Sequence, residues 1–505
     1  MTRMLSDDDL AKLVPAETLE PSPIPTRSVS SDEFMPAPQS ANQKKVAARI
    51  ADLGDEFGKR NGLGRRAFFR TAAGLAASFV AMNDVYGPVF NVNRAEAASV
   101  DLSLLRAQSL AGQFVFDCHT HFLRDDTRLE GFVRAREAVG RTGWNPLIAG
   151  RPQTIEDLKF DNYVKEIFLD SDTKVALISG SPSEEPRDWF LTNEMKADAR
   201  RRINEAAGSQ RLLSHGIFTP GWDGWLERID REIETLRPDA WKGYTVGDNT
   251  NKDLARHPWR MDDERITYRG YEKFLRSGIT TVCVHKGLYP EATAQRWPHL
   301  LPYAKVDDVG KAAKDWPGLN FVIYHAGFRN TGERNPTRAA QEFERTGRIE
   351  WVTDLAEVRE RYGVNNVYAD LGQVFAQTCI IEPRLCAAVL GQLIKGLGAD
   401  HVVWGTDAVW SGAPQWQIEA LRRIEIPEDM QRQFGFAPLG DATGPVKAGI
   451  LGENGARIYP VRRRGAALDW SNDRFAALKR DYDAAGPQPT RLAYGWARPD
   501  EAAPG

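Results

Sequence analysis

From residue 99 onward, short apolar runs recur eight times along the chain, with stretches of helical character between them. That alternation marks a parallel α/β fold, because parallel strands need a crossover connection and a helix usually provides it. The runs fall at Phe114–Asp117, Val175–Ser179, Leu212–Phe218, Trp241–Val246, Thr280–His285, Phe321–His325, Val367–Asp370 and Val402–Asp407. Helices are expected between several of them, at Asp188–Ala206, Leu226–Leu236, Tyr271–Arg276, Val306–Lys314, Asp354–Tyr362 and Cys386–Leu397. Eight such units predict a closed (β/α)8 TIM barrel rather than an open sheet. The interval Phe122–Thr173 is too long for a simple crossover and is expected to cap the barrel mouth. A second long connection, 247–279, offers Trp259, Arg260 and the acidic run Asp262–Glu264 as further lining.

Polar residues end these runs repeatedly. The first reads Gln-Phe-Val-Phe-Asp-Cys-His-Thr-His from Gln113 to His121. With the period of two of a strand, Asp117, His119 and His121 share one face, and Phe116, Cys118 and Thr120 share the other. Imidazoles at i and i+2 can both reach one cation, and neutral imidazole is a common ligand of zinc-like metals. The fifth, sixth and eighth runs end in His285, His325 and Asp407. In a TIM barrel, catalytic groups gather at the carboxyl ends of the strands. Four of the eight histidines stand at such ends, which is hard to reconcile with a random scatter. His215, His257, His299 and His401 lack that placement and read as surface or structural residues. Asp117 lies one pleat deeper and is expected to orient the ligands. Asp370 either bonds to the site or caps a helix.

The pieces Asp117–His121, Val284-His285-Lys286-Gly287, Tyr324-His325-Ala326-Gly327, Trp404-Gly405-Thr406-Asp407 and Glu453–Tyr459 resemble the amidohydrolase superfamily, in its amidohydrolase-related branch of metal-dependent TIM-barrel hydrolases and decarboxylases. They occur in the family's order and span roughly residues 112–460. The resemblance implies metal ligands at His119, His121, His285 and Asp407, with Asp407 also handling the proton of water. It implies that His325 polarises the substrate or shuttles a proton. Lys242 opens the fourth run instead of ending it, which makes it a poor bridging lysine and favours one divalent ion over two. Zinc is the expected metal, with manganese the alternative. Such an ion would bring the pKa of water from about 15.7 to around 7. Asp407 would act as general base and acid, and His325 would stabilise negative charge on the substrate oxygen. Lys286, Arg329 and Trp410 follow strand ends and are expected to line the mouth, where the cations suit a carboxylate or phenolate and Trp410 an apolar body. The expected activity is hydrolysis of a small ester, lactone or amide. Decarboxylation of aromatic carboxylates is the alternative, and an inactive barrel serving as a binding protein is the third reading.

The flanks read differently. Residues 1–60 are polar and rich in Pro and Ser, and are expected to be disordered. Gly64-Arg-Arg-Ala-Phe-Phe-Arg70 and the mild apolar run Thr71–Met82 resemble a twin-arginine export signal. The run is too short to span a membrane, which takes roughly 20 residues. Ala95-Glu96-Ala97 supplies a small-x-small cleavage site. The chain thus divides into a leader at 1–97, a barrel at 98–460 and a C-terminal arm at 461–505. The arm carries Arg462–Arg464 and a helix expected at Asp473–Asp483; it can pack on the barrel or on a second subunit of a homodimer. Export would place the enzyme in the periplasm, by way of the twin-arginine machinery. With 66 Lys and Arg against 69 Asp and Glu, the net charge is −3, and no nucleic-acid partner is indicated. Cys118, Cys283, Cys379 and Cys386 are too few and too scattered for a disulfide framework and are expected to be core residues.

Overall fold

The computed structural model describes residues 7–15, 22–29, 35–122, 160–185, 189–329, 335–408, 413–461, 470–487 and 496–499. Eight parallel strands follow one another in chain order: β1 (Phe116–Thr120), β2 (Val175–Ile178), β3 (Leu212–Ile217), β4 (Ala240–Tyr244), β5 (Thr281–His285), β6 (Asn320–Tyr324), β7 (Val367–Asp370) and β8 (Val402–Val403). The sheet closes on itself. Cys118 N–H donates to the Trp404 carbonyl at 2.9 Å, Asp407 N–H donates to the His119 carbonyl at 2.8 Å, and Thr120 bridges to Ala408 in parallel. The expected α/β barrel is the observed fold.

Strand alternation sorts the apolar side chains into two layers. Phe116, Cys118, Leu177, Leu213, Cys283, Val322 and Tyr324 fill the interior. Trp241, Val282, Val284, Phe321 and Ile323 face the surrounding helices, and Trp241 stacks on Phe274 at 4.3 Å. Crossover helices occupy Asn193–Ala207, Trp225–Thr235, Thr267–Ser277, Val309–Asp315 and Pro383–Leu397. The first of these is bounded by the Thr192 side chain accepting from Met195 N–H and by Gly208 in the left-handed region. The helix expected over Asp354–Tyr362 is instead two short ones, Val352–Ala356 and Val358–Tyr362. All four cysteines are free and buried.

The expectation of disorder to about residue 60 fails for 41–60. Ala41–Arg60 is a helix opened by a Ser40/Gln43 capping box. Val46, Ile50, Leu53 and Phe57 form its buried stripe, at the 4-3-4 spacing of one helix face. That stripe packs on the helix Ala72–Tyr86, in which every residue from Ala73 to Met82 is buried. The layer then joins the barrel. Asn91 N–H donates to the Arg423 carbonyl, Glu425 N–H donates to the Val89 carbonyl, and Arg423 pairs with Glu96 at 2.6 Å. The paired arginines lie on the short helix Arg65–Phe69 of this layer.

Most of the expected cap, 123–159, lies outside the described residues. In the second long connection, Trp259 is buried against Phe218, and Arg260 pairs with Asp262 and Asp307, so neither lines the mouth. Arg462–Arg464 also lie outside the described residues. The arm's helix, Arg474–Ala484, packs on its own barrel. Its N-cap Asp473 forms a buried ion pair with Arg211, and Phe475 packs on Phe168. Among the described residues, no helix is long and apolar enough to cross a membrane.

Candidate metal centre

At the carboxyl end of the barrel, donor atoms from four loops and strand ends converge. His119 Nε2 lies 3.1 Å from His121 Nε2 and 3.1 Å from Asp407 Oδ1, and His121 Nε2 lies 3.2 Å from the same oxygen. His119, His325 and Asp407 each present one donor within 4.8 Å of the others. Two ligands about 2.0–2.1 Å from a tetrahedral zinc stand roughly 3.3 Å apart. The triangle of His119, His121 and Asp407 therefore has the dimensions of a ligand set.

The tautomers follow from the hydrogen bonds. His119 Nδ1–H donates to Asp370 Oδ2 at 3.0 Å, and His325 Nδ1–H donates to the Gly372 carbonyl at 3.0 Å. With Nδ1 committed in this way, each ring in its neutral form turns an Nε2 lone pair toward the centre. Burial pushes His325 down to about 3 and His121 down to about 4, so both stay neutral. Burial opposes ionisation of Asp407, but the charge and hydrogen bonds of His119 and His121 outweigh it and hold the carboxyl well below its usual range. For His119, burial lowers the pKa, and the carboxylates of Asp407 and Asp370 more than reverse it. Lone pairs and a carboxylate around one point, with negative charge drawing a cation in, fit a divalent ion.

Local backbone geometry builds this arrangement. The register of β1 against β2 shifts between Asp117 and Thr120, which interrupts the simple alternation expected there. Cys118 packs in the interior, while the His119 ring comes to rest 4.0 Å from the ring of Tyr324. Asp117 accepts from His119 N–H, Thr406 N–H and the Thr406 hydroxyl, and so ties β1 to the segment carrying Asp407. His325, Ala326, Gln373 and Asp407 all have positive φ, between 49° and 61°. Such strain collects at functional sites that the surrounding structure over-determines.

A profile of the amidohydrolase family matches residues 116–461. The chain belongs to the amidohydrolase family. No curated protein matches it. Among solved structures, it is similar to an uncharacterised TIM-barrel protein from Bordetella bronchiseptica, at 14% identity over 68% of this chain and 97% of that one, with a TM-score of 0.42. It is also similar to the 5-carboxyvanillate decarboxylase of Sphingomonas paucimobilis, at 17% identity over 70% of this chain and 100% of that one, TM-score 0.38. An amidohydrolase from Burkholderia multivorans aligns at 12% identity over 69% and 100% of the two chains, TM-score 0.40.

The amidohydrolase's other expected site residues are distributed unevenly. His285 is buried beside the centre, its ring 4.6 Å from that of His325 and stacked on Tyr244 at 5.0 Å, and His325 takes the nearer place. Lys286 does not line the mouth: it is fully buried, donating to Asp308 at 2.8 Å and to the Tyr303 carbonyl at 2.9 Å. Arg329 is engaged by Glu350 and the Tyr289 carbonyl. Trp410 lies outside the described residues. Lys242 is the middle residue of β4, not its opening one, and its ammonium lies over the ring of Tyr324. His215, expected at the surface or in a structural role, is buried with Nε2 3.3 Å from the Tyr324 hydroxyl. Sequence reasoning missed Tyr244 and Gly372, and gave no role to Tyr324 and Gly405 although both stand in the pieces that carry the family resemblance. The signal for the glycines was present: each stands two residues from a strand-end carboxylate, Asp370 or Asp407.

Proposed function

We propose that this amidohydrolase is a metal-dependent hydrolase that uses water on a small carbonyl substrate, an ester, lactone or amide. The observation that carries the reading is the convergence of His119 Nε2, His121 Nε2 and Asp407 Oδ1, with His119 and His325 fixed by Nδ1 bonds as lone-pair donors. Together with His285, these residues would hold one divalent ion, zinc with manganese as the alternative. When bound, the ion supplies Lewis acidity toward water and the carbonyl oxygen. Asp407, kept ionised, accepts the proton of water and returns it to the leaving group. His325, neutral with its Nδ1 proton committed to Gly372, offers a lone pair to the centre. It therefore binds a cation or accepts a proton, in keeping with the proton-shuttling role among the two the sequence implied, rather than donating to the substrate oxygen.

The full-length chain, loaded with zinc or manganese and stripped by a chelator, is assayed against a panel of esters, lactones and amides. Hydrolysis lost with the metal and in a His119→Ala/His121→Ala variant supports the reading. Release of carbon dioxide from aromatic acids without hydrolysis replaces it with the decarboxylase, and a metal-loaded chain inert to both is the binding protein. Export to the periplasm by the twin-arginine route belongs to the same proposal, on the strength of Gly64–Arg70. Retention of an Arg65→Lys/Arg66→Lys variant in the cytoplasm, with the wild type exported, supports it; equal distribution of the two removes it.

A further inference from the structure

Lys242 is paired in register with Cys283, one inward step below Tyr244, which is paired with His285. It is fully buried, and its ammonium lies 3.0 Å from the centroid of the Tyr324 ring and 5.1 Å from that of Tyr244. Each of those rings also supports a histidine of the centre. Tyr324 lies 4.0 Å from the ring of His119, and Tyr244 stacks on His285 at 5.0 Å with planes 25° apart. Both phenols are anchored at their far ends, Tyr324 by donating to the Cys118 carbonyl at 2.8 Å and Tyr244 by donating to the Gly180 carbonyl at 2.9 Å. A cation out of water is attracted to the face of an aromatic ring, and the attraction falls off as the ring tilts or moves.

We propose that Lys242 is a positioning residue of the metal centre, a fixed cation beneath it that pins the two tyrosine rings on which His119 and His285 rest. The proposal builds on the reading of the site as a metal centre. The placement gives the lysine a task that packing alone does not require, since a methionine of similar length fills the same interior without burying a charge.

The test compares the full-length wild type with Lys242→Met and Lys242→Arg, measuring zinc affinity against a chromophoric competitor and the melting temperature of the zinc-free proteins. Lys242→Met is expected to melt no lower than the wild type yet bind zinc at least tenfold more weakly. Lys242→Arg, which keeps a cation against the rings, is expected to stay within threefold of the wild type. A merely structural lysine predicts the opposite, a change in melting with zinc affinity untouched, and that result overturns the proposal. If Lys242→Met does not fold, Tyr324→Phe and Tyr324→Leu decide. The first keeps the ring and should stay within threefold, the second removes it and should lose tenfold; equal affinities overturn the proposal. A wild type that takes up no zinc, alone or after refolding, refutes the metal centre itself, whereas a binding wild type with an equally binding Lys242→Met refutes only the role of the lysine.

Discussion

His119 donates to Asp370 across 3.0 Å in a space that two glycines keep open. A Cβ on Gly405 would stand 1.9 Å from Asp370 Oδ1 and 2.7 Å from His119 Cβ, and one on Gly372 would stand 2.4 Å from His119 Nδ1. A carboxylate behind a ligating histidine fixes its tautomer and aim, and losing it typically weakens metal binding 10–100-fold. Gly405→Ala is therefore expected to weaken zinc binding by at least tenfold and to destabilise the fold by about 1–3 kcal/mol through overpacking. Gly112→Ala, where nothing lies within 4 Å, is the silent control. Denaturant titration and zinc competition on the two variants check both effects.

Glu419 sets an acid limit on stability. It is buried among Arg106, Arg422 and Arg423, whose charges outweigh the opposing effect of burial and bring its pKa down to about 2. A depressed carboxylate contributes stability that is fully present above its unfolded pKa near 4.5 and is lost as pH falls toward 2. A shift of that size corresponds to about 3 kcal/mol. Urea unfolding at pH 6 and pH 3 should show about 2 kcal/mol of that loss for the wild type. Glu419→Gln is expected to be weaker by about 3–5 kcal/mol at pH 6, because Arg422 and Arg423 lose a buried partner, and to show a flatter acid limb.

Lys286 separates a structural ion pair from a substrate contact. Its pair with Asp308 is wholly buried, and Asp308 also accepts from Met261 N–H. Lys286→Met strands the carboxylate and should cost about 3–5 kcal/mol of stability. KM, measured well below the melting temperature, should be unchanged for any substrate the panel identifies. A large rise in KM with little change in stability would instead return Lys286 to the mouth of the barrel.

Cutting the chain at Ala98 tests the helical layer. The cut removes Phe57, Phe68 and Phe79, all buried, and uncovers the barrel surface around Ile424 and Arg423. Each fully buried large apolar side chain contributes about 1.5–3 kcal/mol, so the loss approaches the 5–15 kcal/mol that holds a whole domain together. The truncated protein is expected to lose cooperative melting in a calorimetric scan. A scan matching that of the full chain would show the layer to be dispensable.

Much of the barrel was legible because its information is local. All eight strands fall within a few residues of the apolar runs that announce them, and all five donor residues around the centre stand in the strand-end slots where a TIM barrel keeps its chemistry. What stayed hidden depends on partners far away in sequence. Lys286 reads as a mouth residue until Asp308 is folded against it, and Asp370 stays open between a site residue and a helix cap until His119 meets its carboxylate. The place of His325 beside His119 and Asp407 goes with a positive φ at His325, which strand patterning does not encode. Residues 41–60 read as disordered because their polar majority masked a stripe of four apolar residues. That stripe acquires meaning only opposite the helix Ala72–Tyr86.

The junction between the N-terminal helical layer and the barrel joins residues made far apart in time. Arg423 bonds to the carbonyl of Asn91, 332 residues earlier in the chain. At about 5–20 residues per second of synthesis, the helical layer waits roughly 15–65 s at the ribosome before its docking surface exists. Throughout that delay, the side of the layer that later meets Arg423 and Ile424, with Phe79 and Phe90 on it, stands without its final packing partner.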